Sequence, residues 1–287
     1  MIDKNIDRID GGLQDNCVGT EIAFFGGSFT GIDKQEMMKF LEIANEYIVG
    51  GAPCGIRLST RPDYISREII DILLKYNVKS IELGIQSMFD DVLTACQRGH
   101  TVNDTENACE IIKSAGISLT GQMMIGLPES NREKDIETAV KLVNLGINSA
   151  RVYPTVILSG TRLYDLYKNG EYDPLDLDEA VFRAKEIKKI FDLNNIEILR
   201  MGLCSSDDVN IKNSENMIGA YHPAFGELVE GEIIYDKLVD DIQKNTEKYI
   251  IIRANKNNMS KVVGHKRKNI ERLRAKFPDK NIKIIKS

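Results

Sequence analysis

The chain has 287 residues, of which 42% are apolar, and its formal net charge at pH 7 is −5. This length is usual for one α/β barrel with a small appendage, and the apolar fraction can fill a complete core. The polar N-terminus, the lack of any apolar run near about 18 residues and the five scattered cysteines argue against secretion, a membrane partner and a closely spaced metal or redox pair, and they predict a cytoplasmic protein.

The first predicted element is the stretch TEIAFFGGSFTGI, from Thr20 to Ile32. Its β-rich run IAFF leads directly into two glycines, and Asp33 with Glu36 then forms a capping pattern for a helix. Paired glycines allow positive φ and let a ligand approach the backbone more closely than a Cβ would permit. Because ligands of parallel α/β sheets bind at the carboxyl ends of strands, we interpret this as a candidate binding loop, with a simple sharp turn as the alternative.

Strands and helices then alternate along the chain. The predicted strands span residues 22–25, 54–60, 79–87, 117–127, 147–158 and 196–201. The predicted helices lie near residues 37–48, 69–74, 88–95, 103–115, 136–143, 163–167 and 180–193. Ser66 is the predicted cap of the second helix, and Ser130 with Glu133 the predicted capping box of the fifth. This alternation predicts α/β architecture with parallel strands, as an open partial TIM-like barrel or a doubly wound sheet.

The C-terminal part of the sequence reads differently. Residues 206–243 lose the alternation and carry Tyr221 to Phe225 in a predicted loop, whereas a strand at 249–253, a helix at 269–276 and a strand at 282–285 predict a small α+β module. We therefore expect three parts, which are a partial barrel at 1–205, an extension at 206–243 and the module at 244–287.

Charge is distributed unevenly between these parts. Residues 244–287 carry fourteen Lys and Arg against three Asp and Glu, whereas residues 1–243 carry 24 against 40. A basic appendage on an acidic body predicts a polyanionic partner, with nucleic acid as the first candidate and a solvated charged face as the alternative.

Polar side chains stand where the predicted strands give way to their loops. They are Ser28, Ser59, Arg61, Glu82, Gln86, Gln122 and Tyr153. This set offers hydrogen-bond donors and acceptors but no nucleophile with an adjacent base. It therefore predicts a site that holds a cofactor with its own reactivity.

Six motifs in order resemble one known family. They are FFGGSFTGI, STRP, ELGIQS, QRGHTV, MMIGLP and YPTVILSGTRLY. Over about residues 20 to 230 the chain resembles the radical S-adenosylmethionine (SAM) domain of the Elongator catalytic subunit. A more distant likeness is to oxygen-independent coproporphyrinogen oxidase. The family fold implied is a TIM-like β/α barrel, here without its first strand.

The resemblance also implies cofactor-binding residues. Gly26, Gly27 and Ser28 match the loop that receives the SAM amino group, and Ser59 matches a position beside that group. Arg98 matches the arginine that pairs with the SAM carboxylate, although a surface arginine is the alternative. A zwitterion does need acceptors on one side and a guanidinium on the other.

Three further positions complete the set that the resemblance implies. Gln86 and Gln122 match contacts to the ribose region, with satisfied core amides as the alternative, and Gly126 matches the turn beside the adenine. For Glu82, a carboxylate at the rim that is solvated or paired with a cation is the alternative to a role in the site. His100 has no assigned chemistry, and a hydrogen bond at a helix N-terminus is its expected role.

The resemblance breaks at the iron site. Radical SAM enzymes hold a 4Fe-4S cluster with three cysteines in a CxxxCxxC loop, which is absent from this sequence, where Cys17 stands alone. We expect residues 1–19 to be the end of a longer segment, so that the chain as written ligates no metal and does not cleave SAM. Loss of the cluster in a natural protein is the alternative.

The C-terminal part differs as well, because Elongator catalytic subunits continue into an acetyltransferase domain, and we expect the residues given after 243 to be too few to form one. The stretch KVVGHKRKNI resembles the GxxG loop of KH domains, with Arg267 in place of the second glycine. Five cations there, predicted at helical spacing, form a candidate RNA-binding set. They are Lys266, Arg267, Lys268, Arg272 and Arg274.

Together these features predict a radical SAM protein whose family chemistry is the reductive cleavage of SAM for RNA modification, most plausibly of a tRNA base. The implied partners are tRNA or another RNA, bound through the basic C-terminus, and a reductant protein. Two alternatives stay open, namely a radical SAM enzyme with a small-molecule substrate and a cluster-free RNA-binding module.

Overall fold

The structure is a computed structural model that describes residues 20–49, 54–203, 217–256 and 258–286. These residues fall into two compact units. The first lies within residues 1–123 and 140–151, and the second lies within residues 124–139 and 152–287. Among the described residues, no helix is both long enough and apolar enough to cross a membrane.

Six parallel strands form the main sheet, in the order β1-β2-β3-β4-β5-β7. Their bounds are Glu21–Phe24 (β1), Gly55–Thr60 (β2), Val78–Gln86 (β3), Ser118–Ile125 (β4), Ser149–Pro154 (β5) and Glu197–Met201 (β7). The sheet is open, because β1 and β7 lie at its two ends. The predicted six-stranded open α/β sheet is therefore confirmed.

Helices follow the strands in the expected alternation. They are α1 (Lys34–Val49), α2 (Arg67–Lys75), α3 (Asp90–Ala95), α4 (Val102–Ser114), α5 (Arg132–Leu145), α6 (Arg162–Lys168) and α7 (Leu177–Leu193). The predicted caps of α1 and α2 are confirmed, because Asp33 accepts from the amide of Glu36 at 3.2 Å and Ser66 accepts from that of Ile69 at 3.3 Å.

The core of the first unit lies where the strands meet α1 and α2. Ile56 and Leu58 on β2 and Ile81 and Leu83 on β3 are fully buried, and so is Leu41 on α1. Near-continuous burial along β2 and β3 is typical of parallel strands that are covered on both faces.

The predicted strand at 147–158 is wrong as a single element. It ends as β5 at Pro154, and Val156–Leu158 forms a separate strand, β6. In the second unit β6 pairs antiparallel with β8 (Met217–Gly219). The pairing with β4 continues one residue past Pro154, since the amide of Thr155 donates to the Ile125 carbonyl at 3.0 Å, and the chain changes partner after that bond.

The loop predicted around Tyr221 to Phe225 gives way to a helix that sequence reasoning missed, α8 (Phe225–Lys244). The C-terminal module then consists of β9 (Tyr249–Ala254), α9 (Met259–Val263), α10 (Lys268–Lys276) and β10 (Asn281–Lys286), and β9 pairs with β10 in parallel.

The module and α8 share one hydrophobic cluster. Tyr235, Val239 and Ile242 of α8 pack with Ile250 and Leu273 of the module. Apolar contacts therefore cross position 244, where a boundary is predicted, and the three-part division of the chain stays a prediction. Part of the predicted extension, residues 204–216, lies outside the described residues.

Candidate functional site

The glycine loop after β1, residues 25–28, is open. Gly26 has φ +109°, and a Cβ added at Gly26 or Gly27 would meet no atom within 4 Å. The loop lines a hollow of about 300 Å³ together with the aromatic rings of Phe24, Phe29 and Phe40. Because Phe24 and Phe29 stack at 4.5 Å between ring centroids, the floor of this hollow is rigid while its glycine rim leaves room for a ligand.

The end of β2 is tied to the glycine loop. The Ser59 hydroxyl donates to the carbonyl of Gly27 at 3.3 Å, and the hydroxyls of Thr30 and Thr60 lie 2.6 Å apart. Ser28 precedes a short 3₁₀ turn, and its side chain makes no capping hydrogen bond there. The structure therefore brings Ser59 against the glycine loop, while the role of these residues in binding SAM stays a prediction.

A break in strand register positions the two predicted glutamines. Gly84 pairs with Gln122 and Gln86 pairs with Met123, so Ile85 is left over as a bulge. Gln86 has φ +69°, which is unusual for a residue with a side chain. Its Oε1 lies 3.4 Å from Nε2 of Gln122, so the two side-chain amides meet towards the carboxyl ends of β3 and β4.

Arg98 lies beside this pair with its donors largely unused. One terminal nitrogen reaches the Gly84 carbonyl at 3.5 Å, and the buried Nε has no hydrogen-bond partner among the described residues. Burial, with the nearby Arg61 as a second cause, lowers the pKa of Arg98. A partly buried guanidinium with an unpaired donor is poorly stabilised until an anion pairs with it.

His100 sits deeper than sequence reasoning expected. Its ring is 5% exposed, Nε2 lies 3.2 Å from the Ile85 carbonyl, and Nδ1 has no partner among the described residues. The expected bond at a helix N-terminus is therefore wrong. Since a carbonyl can only accept, Nε2 carries the proton and Nδ1 presents a lone pair. Burial lowers the pKa of His100, which favours this neutral ring.

Glu82 is a paired and buried carboxylate rather than a solvated one. It is 4% exposed and accepts from Nε of Arg151 on β5 at 2.8 Å. The Arg151 guanidinium also lies 5.8 Å from the ring centre of Phe25, next to the glycine loop. Sequence reasoning missed Arg151. The signal available was one cation within the otherwise apolar strand SARVY.

Gly126 belongs to the second unit and occupies a crowded turn there. Its φ is +74°, and an added Cβ would lie 2.6 Å from Leu175. The Tyr172 hydroxyl donates to its carbonyl at 2.6 Å, and its amide donates to Asp135 at 3.0 Å. Only glycine combines this φ with this close approach, so the backbone of the turn is held in one conformation.

The carboxylate of Asp135, next to this turn, accepts several hydrogen bonds. It is 2% exposed and accepts from the Ser130 hydroxyl at 2.6 Å and from the Arg183 guanidinium at 2.7 Å. The predicted capping box of Ser130 and Glu133 is wrong, because Asn131 accepts from the Lys134 amide and caps α5. Ser130 serves the buried carboxylate instead.

The predicted RNA-binding cations are not equivalent. Lys266 and Arg267 precede α10 with φ of 48° and 67°, so helical spacing of all five residues is wrong. Lys268 pairs with Asp178 at 2.6 Å, Arg272 pairs with Glu232, and Arg274 donates to the carbonyl of Ile282 at 3.4 Å. These contacts lie within the second unit.

The donor types of the first unit suit SAM, but they lie in two places, because Arg98, Gln86 and Gln122 are not among the residues that line the hollow at the glycine loop. An unpaired guanidinium at Arg98, amides at Gln86 and Gln122 and an open glycine loop suit an amino-acid zwitterion joined to a ribose.

The described residues do not fit an iron-sulfur cluster. Within residues 20–49, 54–203, 217–256 and 258–286, no three His, Cys, Asp or Glu side chains are grouped to hold a metal. Cys54 is exposed, whereas burial raises the pKa of the Cys109 thiol to about 12. Cys17 and Cys204 lie outside the described residues.

Comparison with known proteins identifies families and individual proteins that this chain resembles. The profile of the radical SAM superfamily matches residues 10–143, and that of the radical SAM C-terminal domain matches residues 147–235. The tRNA uridine(34) acetyltransferase of Methanocaldococcus jannaschii is 34% identical over 127 residues, which are 43% of this chain and 24% of that protein. Elongator complex protein 3 of Saccharomyces cerevisiae is 36% identical over 121 residues, 41% of this chain and 22% of that protein.

Two further relatives extend the comparison. An uncharacterized protein of Methanocaldococcus jannaschii is 32% identical over 164 residues, which are 56% of this chain and 50% of that protein. The solved structure of Elp3 from Methanocaldococcus infernus, with residues 1–46 deleted, covers 84% of this chain and 58% of that one at a TM-score of 0.66 and 24% identity, so it shares the fold. The chain spans half of these curated relatives or less. Because the two domain profiles match consecutive stretches that include most of its residues, the chain belongs to the radical SAM superfamily of enzymes.

Proposed function

We propose that this chain binds SAM in a radical SAM enzyme that modifies a nucleoside of RNA, with tRNA as the first candidate. The relatives support an RNA substrate, since one is named a tRNA uridine(34) acetyltransferase. This chain spans only 24% of that protein, so its acetyltransferase activity is not transferred.

Arg98 carries the SAM part of the proposal. Its side chain is only partly buried and its terminal NH₂ group is held only by a 3.5 Å contact to the Gly84 carbonyl, so this end of the guanidinium can pair with the carboxylate of the cofactor, while the Gly27 carbonyl and the Ser59 hydroxyl can accept from its ammonium group. Gln86 and Gln122 offer amide donors and acceptors for ribose hydroxyls. Gly126 lies in the second unit, and its contact with the adenine, which the resemblance implies, stays a prediction.

In radical SAM enzymes the cofactor and a reduced cluster together supply the radical chemistry. The described residues contribute the binding and orientation of SAM, and they include no ligand set for the cluster. A reductant protein as electron donor is part of the same proposal.

Isothermal titration with S-adenosylhomocysteine tests the cofactor site without any iron. Arg98→Gln removes one charge-assisted hydrogen bond of about 1.5–3 kcal/mol, so binding should weaken by about 10- to 100-fold. Arg67→Gln, on the exposed face of α2, is the matched control and should leave the affinity unchanged. Equal affinity of Arg98→Gln and the unmutated protein would remove Arg98 from the site.

The substrate class needs a separate experiment. Nucleosides from the tRNA of cells with and without the gene can be compared by liquid chromatography and mass spectrometry. Loss of one modified nucleoside, restored by the unmutated gene and not by Arg98→Gln, is the expected result. An unchanged nucleoside profile would favour the small-molecule alternative.

A further inference from the structure

The C-terminal module carries many more positive side chains than its acidic residues and ion pairs neutralise. Its fourteen Lys and Arg side chains all lie in described parts of the chain, and only Lys268 and Arg272 form ion pairs there. Twelve cations in a segment with three acidic residues repel one another. An anionic partner would relieve that repulsion.

Three of the predicted RNA-binding cations already form contacts with other residues of the second unit. Arg272 pairs with Glu232 on α8 and lies 3.8 Å from the ring centre of Tyr235. Lys268 pairs with Asp178 on α7, and Arg274 bonds the carbonyl of Ile282. These contacts attach α10 to its neighbours, so these side chains are poorly placed to carry the binding of a large anion.

Lys266 and Arg267 are different. Both are exposed, and in the described chain no hydrogen bond or ion pair engages either side chain. They lie in the GHKR turn (Gly264–Arg267) between α9 and α10, and both have left-handed φ, of 48° and 67°. Two successive non-glycine residues in this conformation are strained, and such strain persists only where the surroundings enforce it.

Asn269 enforces it. This side chain is 2% exposed and donates to the carbonyls of Gly231 on α8 and Lys261 on α9, at 2.9 and 3.1 Å. The turn is thus held by a buried amide and by the close approach of Gly264 to Asn269, not by its own charged side chains. Lys266 and Arg267 are therefore available to a partner at little cost to the fold.

A cleft of about 620 Å³ adjoins the turn within the same unit. Lys256, Lys261, Lys266 and Lys268 line it, and of its carboxylates Asp178 and Glu232 already have cationic partners, which leaves Glu227. No Phe, Tyr or Trp side chain lines the cleft, and its one aromatic ring, that of His265, packs edge-on against His222 with 5.1 Å between ring centres, so the lining is dominated by charged side chains. Its chemistry suits a charged backbone instead of bases.

We propose that the GHKR turn and this cleft bind the phosphodiester backbone of the RNA substrate, with Lys266 and Arg267 as the principal contacts and Lys256 and Lys261 beside them. This inference rests on the proposed function, since RNA is the substrate named there. Contact to phosphates alone predicts affinity without sequence preference, so the choice of nucleoside is made elsewhere in the enzyme.

The test is fluorescence anisotropy of a labelled tRNA transcript with the full chain, over a series of salt concentrations. Lys266→Glu with Arg267→Glu should weaken binding by about 10- to 100-fold and reduce the slope of log affinity against log salt by about 2. The matched control is Lys39→Glu with Lys75→Glu, which makes the same charge change at two exposed lysines of the first unit and should alter binding by less than about twofold.

Each other outcome is decisive. If the Lys266→Glu, Arg267→Glu variant bound tRNA as tightly as the unmutated protein, the proposed phosphate-binding surface would be refuted. The proposal that RNA is the substrate would still stand. An equal loss in the control pair would also overturn the surface, as would poly-glutamate competing as well as tRNA does. No binding of RNA by any protein would count against the proposed RNA substrate itself. Arg272→Met should lower stability while leaving the salt slope unchanged, because Arg272 is engaged with Glu232 and Tyr235.

Discussion

The imidazole of His100 and the backbone carbonyl of Ile85 are joined by a contact of 3.2 Å, fifteen residues apart in the chain. Ile85 is the residue left over where β3 changes register against β4. The same carbonyl also accepts from the Ser87 amide at 2.9 Å, which closes a three-residue turn around Gln86. His100 therefore fixes the turn that presents Gln86 to the candidate cofactor site.

Replacing His100 should show this as a loss of cofactor affinity. His100→Phe keeps the ring volume and removes the donor, so the turn at Gln86 loses one buried hydrogen bond worth about 1 kcal/mol. We expect binding of S-adenosylhomocysteine to weaken by about fivefold in a titration, and His100→Gln, which keeps a donor, to recover part of that loss. Identical affinities for the two variants would assign His100 to packing alone.

The same histidine predicts a pH dependence of stability. Burial lowers the pKa of His100 from 6.5, so the unfolded chain binds this proton more readily than the folded chain does. Its contribution is present above about pH 6.5 and is lost as the pH falls towards the folded pKa. Burial acts in the same direction on the pKa of His222.

Urea unfolding at pH 7.5 and 5.5 measures this effect. The free energy of unfolding should fall between these values, the fall should be smaller in His100→Gln, and it should be smallest when His222→Gln is added. Asp135, whose pKa burial raises, acts in the opposite direction but is common to all three proteins. A fall of equal size in all three would show that neither histidine is responsible.

Local patterns account for the parts of the fold that the sequence predicts. The alternation of strands and helices, and the caps at Asp33 and Ser66, depend on residues a few positions apart. The helix α8 was missed because Gly226 and Gly231 weaken its pattern, and Gly231 is used where the Lys261 carbonyl and the Asn269 amide approach closely. Tertiary packing, which is absent from local propensity, selects this helix.

The candidate site also has a part that the sequence predicts and a part that it does not. The glycine loop and the two glutamines stand at strand ends, where sequence alone can place them. Their partners are distant in the chain. Arg151 lies 69 positions from Glu82, and Arg183 lies 48 positions from Asp135. Which cation neutralises which buried carboxylate depends on strand order and helix packing, and a single sequence contains no signal for that choice.

The pair Glu82 and Arg151 predicts an asymmetric mutational response. Arg151→Met leaves the carboxylate of Glu82, 5% exposed, without its counter-ion and should cost about 3–5 kcal/mol of unfolding free energy. Glu82→Gln with Arg151→Met removes both charges and should recover more than half of that cost. Urea unfolding of the single and double variants measures the difference, and a double variant as unstable as Arg151→Met would contradict it.

Gly126 predicts a steric response. Gly126→Ala would hold a Cβ-bearing residue at φ +74°, at about 1–2 kcal/mol, and would place the new methyl group 2.6 Å from Leu175. We expect a lower midpoint of thermal unfolding in a calorimetric scan. Adding Leu175→Ala should relieve the clash but not the backbone strain, so recovery should be partial. Full recovery would mean that φ contributes nothing.

The buried pair Asp135 and Arg183 completes the predictions. Asp135 has three donors, namely the Gly126 amide, the Ser130 hydroxyl and the Arg183 guanidinium, whereas Arg183 has a second carboxylate in Glu179 at 2.8 Å. Removing Arg183 leaves a buried anion with neutral donors only, while removing the charge of Asp135 leaves Arg183 still paired.

Arg183→Met should therefore cost about 3–5 kcal/mol, and Asp135→Asn about 1 kcal/mol, because the new amide oxygen can still accept from the Gly126 amide while the new NH₂ group faces the Ser130 hydroxyl, which can turn to accept. The double variant should be more stable than Arg183→Met alone, since it has no uncompensated buried charge. Urea unfolding at pH 7.5 gives all three values. If Asp135→Asn were the costlier single change, the bonds from Ser130 and Gly126 would matter more than the ion pair, and the turn at Gly126 would be held from the loop and not from α7.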